Sequence, residues 1–134
     1  MTANTSPIFT LTPIVGMVSI STANTGRDGT GTIGTVATGS TDGTRIQKIT
    51  VIAQSTTTAG MVRMYIGDNA GTPNIYLWQE VAVTALTPSA TVKAFTSTTE
   101  LLGDRALVLP SSYTLRASTE KAEAFNVIAE GGNY

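Results

Sequence analysis

The chain has 134 residues, 41% of them hydrophobic and only 13% charged, with a net charge of −1. That balance excludes a disordered segment, which would carry few apolar residues and many charges, and the length suits one domain with its own core. Histidine and cysteine are both absent, which removes the commonest general base, the commonest zinc ligands and the thiol nucleophile.

Twenty-five Thr and ten Ser residues dominate what is left, and β-branched Thr fits a pleated strand better than a helix. Pro7 and Pro13 predict an extended N-terminal arm over residues 1–13, ahead of a single sandwich domain over 14–134. Such an arm either crosses a neighbouring subunit or docks on its own domain. Residues 14–21 read as a strand, and the turn formers of 22–29 as an exposed loop. Residues 30–38 (TGTIGTVAT) read as a strand loosened by glycine, closed by a turn whose sharpest signal is Asp42-Gly43.

Residues 45–54 (RIQKITVIAQ) form a clearer strand, with Ile49, Val51 and Ala53 on one face and Ile46 and Ile52 on the other. In residues 61–66, Val62, Met64 and Ile66 point one way while Met61, Arg63 and Tyr65 point the other, the period of a half-buried strand. A loop over 67–74 precedes a strand over 75–85, which Thr87-Pro88-Ser89 breaks. Residues 90–95, 107–109 and 113–118 follow as strands, and 124–129 as the last, in a closing hairpin. Only 118–125 is compatible with a helix, and for one turn at most. The total is about eight short strands with turn punctuation, an all-β pattern that predicts an antiparallel β-sandwich of jelly-roll type. An immunoglobulin-like sandwich has the same sequence signature.

Four features of the chain bear on chemistry. Gly29-Thr30-Gly31-Thr32-Ile33-Gly34 matches G-x-G-x-x-G, but a loop precedes it and a Thr-rich strand follows, where a dinucleotide site needs a strand and then a helix. The four aspartates, Asp28, Asp42, Asp68 and Asp104, sit in turns where Asp bonds nearby backbone, so no carboxylate pair for hydrolysis is expected. Calcium at Asp68-Asn69 lacks the ligand ladder of an EF-hand. With histidine missing, a serine nucleophile would need a lysine as its base; the one Ser-x-x-Lys of the chain, Ser118 to Lys121, has no further motif beside it. No enzyme, no cofactor and no resident metal are expected.

Tyr65, Tyr76 and Trp78 lie on adjacent predicted strands. Exposed, they would form a platform for a sugar ring or a protein partner; core or subunit interface is the favoured reading. The eight Lys and Arg residues are scattered singly, whereas a nucleic-acid binder gathers them into one footprint. No apolar run approaches a membrane span. The N-terminus lacks the features of a secretion signal, so synthesis in a host cytoplasm is expected.

Three stretches, GTGTIGTVATGSTDGTRIQKITVIAQSTTTAGMVRMYIGD, EVAVTALTPSATVKAF and LPSSYTLRASTEKAEAFNVIAEGGNY, together resemble small virion structural proteins of tailed bacteriophages. The resemblance covers well over half the chain and carries no catalytic motif. It implies a capsid decoration or cement protein on the head surface, whose partners are the major capsid protein and other copies of itself, most often as a homotrimer. A tail, baseplate or fibre component, and a carbohydrate-binding sandwich, are the alternatives.

Overall fold

Segments that alternate apolar with hydroxyl-bearing residues bury one face only when extended. The computed structural model describes residues 9–68, 74–102 and 105–134, and among these there is no α-helix. Nine strands carry the fold: β1 (Thr12–Ile20), β2 (Gly34–Thr38), β3 (Thr44–Ala53), β4 (Gly60–Asp68), β5 (Asn74–Val83), β6 (Thr96–Glu100), β7 (Leu107–Leu109), β8 (Tyr113–Thr119) and β9 (Phe125–Asn133).

One sheet has the order β1-β9-β3-β6, and β7 also pairs with β3; the other has the order β2-β8-β4-β5. Along β3, β6 partners Lys48 to Ile52 and β7 partners Thr44 to Ile46, so the two act as one interrupted strand. With β6 and β7 counted together, the first strand pairs with the last, the second with the penultimate, the third with the interrupted strand and the fourth with the fifth. This antiparallel ribbon is rolled so that β3 also meets β9 and β4 also meets β8. The chain is an all-β antiparallel sandwich of jelly-roll topology; strand order separates it from the immunoglobulin arrangement.

The core lies between the sheets. Ile46, Ile49, Val51, Phe125 and Val127 from one side meet Val36, Val62, Met64, Val81 and Leu115 from the other. Buried threonines turn their hydroxyls to fixed acceptors: Thr57 donates to the Thr84 carbonyl at 2.7 Å and Thr44 to Asn133 Oδ1 at 2.6 Å. This is how a Thr-rich chain buries polar groups without leaving them unpaired.

Several readings of the sequence need correction. Ile46 joins Ile49 and Val51 in the core, because a bulge between Ile46 and Lys48 shifts the alternation, and β9 closes no hairpin with β8 but pairs with β1 and β3 in the other sheet. Residues 90–95 form no strand: Ser89 Oγ accepts the N–H groups of Thr91 and Val92 in a turn, and Phe95 packs edge-on against Phe125. The strand here is β6, five hydroxyl- and carboxyl-bearing residues (TSTTE) whose backbone fills the free edge of β3. Residues 30–33 are also outside β2, because Gly29 and Gly31 adopt φ of +83° and +85° and carry the chain across the second sheet as a loop. At the other end, β1 begins at Thr12, within the stretch assigned to the arm, and the Leu11 N–H already bonds the Asn133 carbonyl. Residues 1–8 of that arm, and Asp104, lie outside the described residues.

Candidate functional site

The second sheet sets the geometry of its own open end. Register pairs Ile66 with Tyr76, Asp68 with Asn74 on one side, and Asp68 with Tyr113 on the other. Because Val62, Met64 and Ile66 alternate on the core side, these partners share that side. They extend past the packed core: Tyr76 is 71% exposed, and Tyr113 and Asn74 are exposed as well. A bulge in β5 makes Trp78 the extra residue between Leu77 and Gln79, and its indole leans on the core. Bulges re-aim side chains in this way.

The outcome is an open cleft of about 550 Å³ lined by Ile66, Gly67, Asp68, Asn74, Tyr76, Leu77, Trp78 and Tyr113. Its polar end is organised, with the Asn74 amide donating to Asp68 Oδ1 at 3.1 Å. The calcium reading at Asp68-Asn69 falls partly outside the described residues, since Asn69 is not among them.

Of the three aromatic residues singled out from sequence, the structure brings Tyr76 and Trp78 together and separates Tyr65 from them. Tyr65 is fully buried on the opposite face of β4, and its hydroxyl donates to the Gly26 carbonyl at 2.9 Å. Tyr113 takes the third place in the cleft. No local signal marks Tyr113, because its neighbour Asp68 is 45 positions away and only strand register joins them.

The outer face of the second sheet is covered by the loop between β1 and β2. Asn24 anchors it: its amide donates to the carbonyls of Thr30 and Thr32, and its Oδ1 accepts the Gly26 N–H. Beneath it lies Arg63, whose side chain is fully buried. Its Nη1 donates to the Asn24 carbonyl at 3.2 Å and its Nε to Glu80 at 3.1 Å, while Nη2 faces Glu120 at 3.5 Å as an ionic contact. Arg27, from the loop, grips the same Glu80 carboxylate.

The hydrogen bond from Arg27 is the main reason Glu80 sits below its ordinary 4.5, with Arg63 adding to it against some desolvation. The same bond raises Arg27. Asp28 is likewise lowered, chiefly by the Thr30 hydroxyl and then by the Thr30 N–H. That Asp–Thr turn is the structural role expected of this aspartate. Charges so held lock a loop onto a sheet.

The outer face of the first sheet differs in kind. β1 is its edge strand, and Val15 and Met17 project outward from it, 56% and 66% exposed. Phe9 and Leu11, just before it, are 78% and 83% exposed. Met17 pairs with Ile128, and the two share a shallow groove with Val18, Ser19 and Asn126. Residues 1–26 contain no Asp, Glu, Lys or Arg. Edge strands ordinarily carry such charges to prevent pairing.

Comparison with protein-family models and with curated protein sequences finds no match to this chain.

Proposed function

We propose that the protein is a bacteriophage virion structural protein, a capsid decoration or cement protein that binds and stabilises the assembled head. The observation that carries this reading is the exposed apolar row Phe9, Leu11, Val15 and Met17, set on an uncharged edge. Four large apolar side chains exposed along one strand edge, flanked by the ion pair of Glu130 on β9 with Lys48 on β3, are a candidate protein contact. The sequence resemblance to phage virion proteins names the partner, the major capsid protein. Jelly rolls serve viral shells and lectins alike, so the fold itself assigns neither role.

A ligand that binds only the assembled shell stabilises it by mass action. Head symmetry repeats each modest contact over many copies, and self-association into a trimer multiplies it further. The test is co-sedimentation with empty, tail-free heads, alongside light scattering of the free protein. Saturable binding to heads and a trimeric mass are expected. Failure to sediment with heads, or binding to isolated tails instead, would overturn the assignment.

A further inference from the structure

The geometry points to a second binding site in the aromatic cleft, one that takes a pyranose unit of a neutral oligosaccharide. This goes beyond shell docking and does not depend on it. Three aromatic side chains, Tyr76, Trp78 and Tyr113, come from two strands to wall a single cleft. A ring left 71% exposed on a strand offers an apolar face that a sugar's C–H face would cover.

The polar groups fit the same ligand. Asp68 and Asn74 sit together at one end, joined by a 3.1 Å hydrogen bond, and a carboxylate beside an amide suits vicinal hydroxyls. Among the described residues no Lys or Arg lines the cleft, and phosphate, nucleotide or acidic-sugar recognition calls for such cations. Its volume of about 550 Å³ is in the range of small-molecule sites, which combine apolar walls with a few placed polar groups.

Position supports an independent role. The cleft lies on β5, the edge of the second sheet, whereas the uncharged row lies on β1, the edge of the first. Within the roll β1 faces β2, at the far side of the second sheet from β5. A protein docked through β1 therefore keeps this cleft on its opposite flank.

Trp78 is the only tryptophan in the chain, so its emission reports on the cleft alone. The protein is titrated with cellohexaose, maltohexaose and chitohexaose to millimolar concentration. A saturable change in Trp78 emission with at least one of them is expected. Tyr76→Ala should weaken that binding by about tenfold or more, and Tyr76→Phe, which keeps the ring, should retain it. The unfolding midpoint of Tyr76→Ala, an exposed site, serves as the folding control. No saturable response to any of the three, or unchanged affinity in a folded Tyr76→Ala, would overturn the proposal, as would a response to decaproline in place of the sugars. Sugar binding that survives Met17→Lys while head binding is lost separates this site from the docking face.

Discussion

Arg63 is the side chain on which the outer face of the second sheet depends. It is fully buried, bonded to the Asn24 carbonyl and Glu80, and faced by Glu120. Truncation to Ala would strip the loop of its anchor and leave two carboxylates without their shared cation. A loss of about 3 kcal/mol, read from urea denaturation, is expected, because a large buried side chain and its hydrogen bonds to the loop and to Glu80 are lost together. A change indistinguishable from zero would mean that the loop holds without it.

Acid should act on the same cluster. Glu80 and Asp28 both have lowered folded-state values. Each therefore contributes stability that is present above its ordinary value, 4.5 and 3.8, and is lost as pH falls through the lower folded one. Urea midpoints should fall as pH drops below these values, and Glu80→Gln should flatten that decline. Little of this was legible in the sequence. Alternation placed Arg63 and Tyr65 on the face away from the core, correctly, but a period of two does not reveal that a distant loop covers that face.

At the scale of elements, the β1–β2 loop works as a strap whose conformation Asn24 holds from within. Its amide and Oδ1 make three hydrogen bonds inside the loop, and its backbone makes two more contacts, to Thr119 and to Arg63. Asn24→Ala should cost about 2 kcal/mol, since several donors and acceptors lose partners together. Hydrogen exchange at the Gly26 amide should speed up in parallel. Unchanged protection there would show that the strap is held from elsewhere.

The strands were read from sequence in proportion to how strongly side chains dictated them. In β3 and β4 the apolar alternation is strong, and both were legible within two residues. In β6 no apolar residue exists to signal a strand; pairing with β3 imposes it through the backbone. Conversely, Val92, Ala94 and Phe95 have strand-like composition, but Ala94 and Phe95 pack on the core as a crossing between the sheets. The cleft shows the same limit. Tyr76 and Trp78 were visible as neighbours, whereas Tyr113 and Asp68 joined them only through register.

At the scale of the whole molecule, the two edges divide the surface by chemistry. One flank presents the uncharged β1 row, the other the aromatic cleft of β5. Charging the first with Val15→Lys and Met17→Lys places cations on solvent-facing positions, where substitutions shift stability by about 0.5 kcal/mol or less. Binding to heads should nevertheless be lost, because a desolvated apolar contact does not accommodate unpaired charge. Retained head binding in this double variant would move the docking surface off β1.

The most direct measurement is a cryo-EM comparison of heads with and without the protein bound. The account predicts added density on the outer shell that fits the nine-strand sandwich, with the β1 edge against capsid subunits and the β5 edge facing outward. Bare heads, density confined to the tail, or a sandwich seated on the shell through its β5 edge would contradict it.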